Sequence, residues 1–377
     1  MDSPLQKSSN IITAFKDLKD PRKKRNQAYS LFDIVTISIL GILCGADDWV
    51  AINLWTSCNI GWLQEHGICN TGVPSHDTIG RFFRYLSPGS FEHCFIKWTQ
   101  NIARTIKGVI AIDGKTLRGS NDEARDEKAI HVVSAFAANN NLILGQLATD
   151  AKSNEITAIP LLLNMLDIHG ATVTIDAAGC QKNIAKQICS QGGNYILALK
   201  GNQGNLHAEA ENFFLQAVEV PPKDAKCDFY FSEEKNRGRL EKREIWSTHE
   251  LIWLCQKDEW TDLNALICIR STRTIKSKVT VEMKYYIASE EIRAEEYGFQ
   301  IRSHWGIENK VHWQLDVSYG EDHSKVRKDN GPENASVLKR CTMNLLKADT
   351  QTKAGIKNKR AKAGWNREYM MELLNGK

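Results

Sequence analysis

The chain has 377 residues, of which 42% are hydrophobic and 25% are charged, as expected for a folded, soluble protein of two or three domains. Its net charge of +4 is too small to indicate a nucleic-acid partner by itself. The ten cysteines include no Cys-x-x-Cys pair, so a structural zinc site is not expected.

Positive charge is concentrated at the C-terminus. Residues 325–377 carry thirteen Lys/Arg and five Asp/Glu, and the rest of the chain has a net charge of about −4. This asymmetry suggests an anionic partner for the tail, although a solvated surface helix gives the same pattern. The N-terminus lacks the regions of a signal peptide, and the longest apolar run, 34–46, is too short to span a bilayer. We therefore expect a cytoplasmic protein without a membrane partner.

Residues 1–105 are predicted to form a helical N-terminal domain. A basic cluster at 21–25 precedes a stretch, 31–44, in which apolar residues recur at helical spacing. Ser75 is a suitable N-cap for a helix over 78–86. The region could bind DNA, or it could serve packing or oligomerisation.

The pattern changes to strands near residue 108. Apolar runs at 109–112, 132–137 and 142–147 are followed by two helical segments, each leading into another short strand. These later elements are a helix at 157–167, a strand at 172–175, a helix at 181–191 and a strand at 195–199. The order β-β-β-α-β-α-β predicts a mixed sheet with helices on its faces, as in a ribonuclease-H-like domain.

The remaining segments complete an α+β prediction. Residues 205–290 contain strand-like pieces and polar turns, which predict a β-rich insertion. Helix returns from Glu291. The predicted division is therefore a helical domain at 1–105, the first part of the core at 106–204, the insertion at 205–290, and the last core helix with the basic tail at 291–377.

Asp113 and Asp176 each directly follow an apolar strand. Ligands of α/β sheets bind in the crevice at such strand ends, so two carboxylates there could share a hard cation. Mg²⁺ and Mn²⁺ prefer oxygen ligands, and phosphodiester chemistry commonly uses two such ions roughly 4 Å apart. Asp is also a common cap or turn residue after a strand, so these two residues alone are weak support.

A third acid, Glu308, is predicted on the inner side of a helix. Helical spacing places it on one stripe with Ile301, Trp305, His312 and Leu315. A buried carboxylate needs a cation nearby, which could be a metal ion, Arg302 or another Arg or Lys. Trp305 and Trp313 are expected to pack beneath this helix, with stacking on a flipped base as the alternative.

Several stretches together resemble the insertion-sequence transposases associated with the H-repeats of Rhs elements, within the DDE superfamily. They are Val-Pro-Ser-His-Asp-Thr (73–78), Ala-Ile-Asp-Gly-Lys-Thr-Leu-Arg (111–118), Lys-Ser-Asn-Glu-Ile (152–156), Thr-Ile-Asp-Ala (174–177), Leu-Lys-Gly-Asn-Gln (199–203), and His-Trp, Glu-Asn, His-Trp and Leu-Asp-Val within 304–317. The resemblance runs nearly end to end. It implies a ribonuclease-H-like core, a catalytic triad and DNA transposition without a separate energy cofactor.

Position by position, the resemblance places the triad on Asp113, Asp176 and Glu308, with two Mg²⁺ or Mn²⁺ ions as cofactors. The chain departs from related transposases around the last acid, because Leu315 stands where a lysine is common and Lys310 is shifted. Local competitors for the third acid are Asp316, Glu321 and Asp322; the last two follow Gly320, where the helix is expected to have ended.

Further polar residues are candidate DNA contacts. They are Lys115 and Arg118 after the first strand, Lys200, Asn202 and Gln203 after the fifth, Arg237 and Arg239 in the insertion, and Arg302 and Lys310 beside Glu308. Lys115 and Arg118 could instead contact the metal-site carboxylates, 200–203 could be a plain turn, and 236–243 could be a solvated hairpin tip. An NTPase is not expected, because Val109 occupies the first glycine position of a phosphate-binding loop.

The predicted function is metal-dependent cleavage and strand transfer of double-stranded DNA, with terminal inverted repeats and target DNA as partners. A homodimer is expected on DNA, because two transposon ends must be paired. Two alternatives stay open: a catalytically inactive DNA-binding relative, and a metal-dependent nuclease that cleaves without joining.

Overall fold

The computed structural model describes residues 10–23, 27–103, 106–122, 128–149, 154–236 and 238–375. The described strands are β1 Gly108–Thr116, β2 His131–Ala137, β3 Leu142–Thr149, β4 Ala171–Ile175, β5 Asn194–Leu199, β6 Asp228–Asn236, β7 Arg239–Thr248, β8 Ala265–Ile275 and β9 Lys278–Ala288. The described α-helices are α1 Asn10–Ala14, α2 Leu31–Leu43, α3 Trp49–Cys58, α4 Ile60–Glu65, α5 His76–Tyr85, α6 Pro88–Ala103, α7 Glu155–Met165, α8 Lys182–Ser190, α9 Gly204–Ala217, α10 Ala294–Ile307, α11 Trp313–Tyr319, α12 Gly331–Ala348, α13 Ile356–Trp365 and α14 Arg367–Asn375.

The strands form one mixed nine-stranded sheet in the order β3-β2-β1-β4-β5-β9-β8-β7-β6. The strands β1, β2 and β3 pair antiparallel, whereas β4 lies parallel to β1 and β5 lies parallel to β4. Helices α7 and α8 precede β4 and β5, as parallel pairing requires a crossover. The mixed sheet with flanking helices confirms the α+β prediction at this level.

Helices cover both faces of the sheet. One face packs against α7, α8 and α9, whose apolar side chains share a core with Ile110, Ile112 and Val173. The other face packs against the N-terminal helices and the helices that follow β9, through Ala111 and Phe136. Because both faces are covered, every residue of β2 is buried.

The N-terminal region is helical, as predicted. Helix α2 begins at a capping box in which Ser30 and Asp33 satisfy each other's backbone N–H groups. Ser75 caps α5 by accepting a hydrogen bond from the N–H of Thr78. In the described part of the chain, no helix combines the length and the apolar character needed to cross a membrane.

The region predicted as a β-rich insertion begins with a helix and then extends the same sheet. Residues 204–217 form α9, which the polar sequence pattern did not indicate. The four strands that follow pair with one another, and β9 pairs antiparallel with β5, for example Leu197 with Ile287. The division of the chain at 105, 204 and 290 stays a prediction.

The basic tail is folded into the body of the protein. Helix α12 is buried along most of its length and packs against α2, α5, α6 and β3. Four of the tail's cations are buried, namely Lys339, Arg340, Lys359 and Arg360. A solvated surface helix is therefore wrong for α12, and part of the tail's charge serves internal ion pairs.

Candidate active site

Asp113 and Asp176 lie side by side on the neighbouring strands β1 and β4, at the point where the pairing of these two strands ends. The parallel pairing of β1 with β4 ends at Ile112 opposite Ile175, so the two aspartates are the next residues along their strands. Neighbouring strands are about 4.8 Å apart, which brings these carboxylates close together. The sequence suggested that the first strand ends at Asp113. In the structure β1 continues past Asp113 to Thr116, paired with β2.

Backbone N–H groups orient both aspartates. The Oδ1 atom of Asp113 accepts from the N–H of Gly114 at 2.9 Å. The Oδ1 atom of Asp176 accepts from the N–H groups of Ala178 and Gly179, at 3.1 and 3.4 Å, and caps the short 3₁₀ turn that follows β4. One oxygen of each carboxylate is therefore held by the backbone, and the second oxygen of Asp113 lies 3.5 Å from Nδ1 of His312.

Glu308 lies at the end of α10, where the helix passes into a π-helical turn over Glu308–His312. Three residues of the predicted stripe are buried, namely Ile301, His312 and Leu315, together with Ile307 and Val311. Glu308 is exposed, and the prediction that it faces the interior is wrong. Trp305 and Trp313 are also exposed, by 44% and 54%, so their expected core packing is wrong.

All three acids nevertheless line one cleft of about 280 Å³, which we call the acid cleft. Burial raises the pKa of Asp113 to about 7, and the nearby carboxylates of Asp176, Glu155 and Glu308 add to this effect. The three side chains offer only oxygen atoms, which suits Mg²⁺ or Mn²⁺. Among the described residues, however, no three His, Cys, Asp or Glu side chains stand close enough together to hold a metal ion as they are.

Two histidines lie at or next to the acid cleft, His304 in its wall and His312 against Asp113, and sequence reasoning assigned them no role. The Nδ1 atom of His312 lies 3.5 Å from Oδ2 of Asp113, and burial lowers the pKa of His312 to about 3. The Nδ1 atom of His304 lies 3.0 Å from the hydroxyl of Thr174, and burial lowers its pKa as well. Both rings are therefore neutral at pH 7. Their spacing of eight residues gave no signal, because the π-helical turn shifts the register between them.

A buried His131–Glu155 pair lies behind Asp113 and was also missed. Glu155 begins α7, and its Oε1 atom lies 2.5 Å from Nε2 of His131. The other ring nitrogen of His131 is 3.0 Å from the hydroxyl of Thr116. Gly114 leaves the space for this pair, since a Cβ atom there would clash with both side chains. Glu155 belongs to the stretch 152–156, one of those that carry the resemblance to the transposase family, and could have been singled out on that ground. Residues 152 and 153 of this stretch lie outside the described part.

Lys115 is buried in a cluster of carboxylates. Its Nζ atom lies 2.7 Å from Asp316, 2.8 Å from Asp322 and 3.6 Å from Glu321. Glu321 is bound in turn by the buried Arg340 at 3.1 Å. The carboxylates that Lys115 contacts are the competitors of Glu308 and not the predicted metal-site acids, and its DNA contact stays a prediction.

Arg118, by contrast, is a surface residue. Its side chain is 82% exposed, and its Nε atom lies 3.8 Å from Asp322. It is free to reach a phosphate group, and its DNA contact stays a prediction.

The turn after β5 lies against the loop that carries Asp176. Asn202 donates a hydrogen bond to the carbonyl of Ala177 at 2.7 Å, and Gln203 donates to the carbonyl of Cys180 at 2.9 Å. The two side-chain amides thus connect the loop after β5 to the loop after β4. This structural role favours the alternative that 200–203 is a turn without DNA contacts for Asn202 and Gln203. Lys200 is exposed and lines the acid cleft, so it is the member of this group placed to meet a substrate.

Three other candidate DNA contacts are Arg239 in β7, Arg302 in α10 and Lys310 in the π-helical turn that follows α10. Arg302 does not neutralise Glu308; it forms a two-point ion pair with Glu234 of β6, with one N···O distance of 2.6 Å. Arg239 and Lys310 are exposed or partly exposed and line a larger groove beside the acid cleft. Arg237 lies outside the described residues.

The acid cleft lies where parallel strands of a mixed sheet end, and cationic side chains flank it. This arrangement fits an enzyme class that acts on phosphodiesters. Sequence comparison makes the assignment specific. The family described as "Transposase DDE domain" matches residues 104–345, and the family described as "DDE_Tnp_1-associated" matches residues 12–99. The chain belongs to the DDE transposase family.

Curated relatives match almost the whole chain. The "H repeat-associated putative transposase YhhI" of Escherichia coli strain K12 is 40% identical over 373 residues, covering 95% of this chain and 96% of the relative. "Putative protein YbfL" of the same strain is also 40% identical, with the same coverage. These matches confirm the resemblance to the H-repeat-associated transposases.

Among solved structures, a piggyBac transposase synaptic complex with hairpin DNA aligns with 96% of this chain and 78% of that chain. The TM-score is 0.39 and the sequence identity is 11%. A likeness of this size carries no argument about the present chain.

Proposed function

We propose that this chain is an active insertion-sequence transposase that cuts DNA and joins the cut end to a target, with Asp113, Asp176 and Glu308 as its catalytic acids. The observation that carries the proposal is that three acids, 63 and 132 residues apart in sequence, line a single cleft. We also infer a ribonuclease-H-like core made by β1 to β5. Its support is the order β3-β2-β1-β4-β5 with β1, β4 and β5 parallel.

The competing acids support Glu308 as the third member. Asp316, Glu321 and Asp322 surround the ammonium group of Lys115, and Arg340 also binds Glu321. Among the described residues, no ion pair joins Glu308 to a cation, and its carboxylate lies on the wall of the acid cleft. Glu308 is therefore the acid that can turn toward the two aspartates when a cation is present.

The acids and their neighbours suggest a division of roles. Bound Mg²⁺ or Mn²⁺ would activate the attacking oxygen and stabilise the departing one. Asp113 and Asp176 are held by backbone N–H groups, so their free oxygens point to a fixed place. The neutral His312 lies against Asp113, the neutral His304 forms part of the wall, and Lys200 can contact a phosphate at the rim. DNA duplex with terminal repeats would be the substrate, bound by a homodimer.

The test measures cleavage and joining of a labelled DNA duplex that carries the ends of the element, with and without Mg²⁺ or Mn²⁺. We expect wild-type activity only with the metal ion. Asp113→Asn, Asp176→Asn and Glu308→Gln should each lower the cleavage rate by at least about a hundredfold, because each removes a charged ligand. Asp258→Asn changes an exposed acid that does not line the acid cleft and should leave the rate unchanged.

The outcomes separate the alternatives. Cleavage without transfer of the labelled 3′ end would make the protein a nuclease without joining activity. DNA binding without cleavage would make it an inactive relative. If Glu308→Gln folds normally and keeps the wild-type rate, the third acid is another residue.

A further inference from the structure

Three hydrogen-bonded side chains lie on the face of β1 opposite to the Asp113 carboxylate. Side chains alternate along a strand, so Thr116 points away from the face that carries Asp113. The hydroxyl of Thr116 lies 3.0 Å from Nδ1 of His131, the first residue of β2. The Nε2 atom of His131 lies 2.5 Å from Oε1 of Glu155, the first residue of α7. We call Thr116, His131 and Glu155 the support cluster.

The support cluster is polar although its inner members are deeply buried. His131 is 2% exposed and Glu155 is 4% exposed, on a face of the sheet whose other buried side chains are mostly apolar. A buried pair of this kind adds little to stability, because the loss of hydration offsets most of the attraction between its members. Apolar side chains of the same size would hold β2 against α7 equally well. The pair is therefore better explained by a role in the neighbouring site.

The support cluster packs directly against the backbone of Gly114. A Cβ atom on Gly114 would lie 2.2 Å from Nε2 of His131 and 2.3 Å from Oε1 of Glu155. The two side chains thus occupy the space that any other residue at this position would need. The N–H of Gly114 donates a hydrogen bond to Oδ1 of Asp113 at 2.9 Å. The place of this N–H group, and with it the direction of the carboxylate, depends on what lies behind Gly114.

Glu155 is near Asp113 without being part of the acid cleft. Burial is the main reason that the pKa of Asp113 is raised to about 7, and the carboxylate charge of Glu155 adds to this effect. Glu155 does not line the acid cleft, so it can influence a cation there only at a distance. Its contacts with His131 and with the Gly114 backbone are the direct route.

We propose that His131 and Glu155 are positioning residues for Asp113. They hold the peptide between Asp113 and Gly114 from behind, so that the carboxylate presents itself to a cation in one fixed direction, and Thr116 fixes the ring of His131. Neighbours that orient a metal ligand typically contribute about 10- to 100-fold to metal affinity or activity. The proposal rests on the proposed function for the role of Asp113, and it adds residues that act on the cation through that aspartate.

The test measures Mn²⁺ binding to the full-length protein by isothermal titration calorimetry, and separately the cleavage rate at saturating DNA and the DNA affinity. Glu155→Ala should lower the Mn²⁺ affinity and the saturating rate by about 10- to 100-fold each and leave the DNA affinity unchanged. Glu155→Gln keeps an oxygen that accepts a hydrogen bond from His131 and should retain most of both. Thr116→Val loses one hydrogen bond to His131 and should lower both by roughly two- to tenfold.

Glu92→Ala is the matched control. Glu92 is also a buried carboxylate, 3% exposed, and its Oε1 atom accepts from the N–H of Gln146 in β3 at 2.9 Å. It does not line the acid cleft. The variant should lower the melting temperature and leave the Mn²⁺ affinity unchanged.

Three results overturn the proposal. The first is an equal loss of Mn²⁺ affinity in Glu155→Ala and Glu92→Ala at equal melting temperatures, which would leave the support cluster a purely structural role. The second is an equal loss in Glu155→Ala and Glu155→Gln, which would show that the charge and not the hydrogen bond matters. If Glu155→Ala does not fold, Thr116→Val decides, and an unchanged Mn²⁺ affinity and rate in that variant is the third.

Failure of this proposal is distinguishable from failure of the proposed function. If Asp113→Asn abolishes Mn²⁺ binding and cleavage while Glu155→Ala leaves both intact, only the positioning proposal fails. If Glu155→Ala weakens Mn²⁺ binding but wild-type protein never cleaves DNA, only the catalytic proposal fails. Wild-type protein that neither binds Mn²⁺ nor cleaves DNA would contradict both.

Discussion

Lys115 shows how a residue close to a proposed catalytic acid can have a structural role. It follows Asp113 by two positions in β1, so its side chain points to the same face of the sheet. There it meets three carboxylates that arrive from the segment after α10, about two hundred residues later in the sequence. Only 8% of the lysine side chain is exposed. The pairing fixes 316–322 against β1, directly beside the acid cleft.

We predict that Lys115→Met destabilises the protein by about 2–4 kcal/mol. Removal of one partner from a buried ion cluster typically costs about 3–5 kcal/mol, and the partial exposure of Asp316 and Asp322 reduces this figure. Chemical denaturation gives the free energy of unfolding. The control is Arg118→Met, which removes a cation that is 82% exposed and should change stability by less than about 0.5 kcal/mol.

For the salt dependence of DNA affinity, we expect the reverse order of effects: Arg118→Met should have the larger effect and Lys115→Met the smaller. Arg118→Met should reduce the dependence of DNA affinity on salt by about one contact, whereas Lys115→Met should leave it unchanged. A smaller salt dependence with unchanged stability for Lys115→Met would show that the lysine contacts a phosphate and that the cluster is unimportant.

The sequence predicts the placement of candidate site residues well where local pattern decides, and poorly where distant segments meet. Asp113 and Asp176 could be found because each follows an apolar run that only a buried strand explains. The exposure of Glu308 could not be found in this way, because helical spacing places it on one stripe with Ile301 and Leu315, which are both buried. The burial of Lys115 could not be predicted either, since its partners lie far away in sequence. A lysine close to an aspartate in sequence resembles an exposed ion pair.

At the scale of elements, the position of Asp176 depends on a contact between two loops. The turn after β5 donates the amides of Asn202 and Gln203 to carbonyls of the loop that begins at Asp176. Both loops follow parallel strands, so they meet at the edge where the acid cleft opens. The turn can therefore act on catalysis by positioning the aspartate.

We predict that Asn202→Ala lowers the cleavage rate several-fold without a change in DNA affinity. The variant loses the 2.7 Å hydrogen bond to Ala177, and the loop that orients Asp176 gains freedom. Cleavage rates at saturating DNA and equilibrium binding, measured separately, distinguish positioning from contact. Asn205→Ala, an exposed residue one turn further along in α9, should behave as wild type. A loss of DNA affinity at an unchanged saturating rate would instead identify Asn202 as a phosphate contact.

The positions of the first five strands were predictable from the sequence, but the pairing of β5 with the later strands was not. Apolar runs mark β1 to β5 to within a few residues, because strands buried on both faces need them. The pairing of β5 with β9 joins residues about ninety positions apart, and no local pattern carries this information. The β-rich region therefore looked like an insertion, whereas its four strands form the outer part of the same sheet as β1 to β5.

At the scale of the whole molecule, the two ends of the chain share one core. Apolar residues of α2, α5 and α6 belong to the same cluster as those of α12 and α14. Arg360 of α13 reinforces this contact from the C-terminal side. It binds Asp47 at 2.5 Å and the carbonyl of Ile42 at 2.7 Å, and it lies over the ring of Tyr319. The N-terminal helices and the C-terminal segment should therefore lose their structure together.

We predict that Arg360→Met destabilises the protein by about 3–5 kcal/mol, because it leaves the Asp47 carboxylate and the buried carbonyl of Ile42 without their partner. The measurement is hydrogen exchange by mass spectrometry over Leu31–Leu43 and Gly331–Ala348. Protection should fall by the same factor in both helices, since they share one core and open in one cooperative unit. Lys357→Met, an exposed residue on the same helix as Arg360, should leave both unchanged. Faster exchange confined to Gly331–Ala348 would mean that the N-terminal helices fold as an independent domain, as a boundary near residue 105 implies.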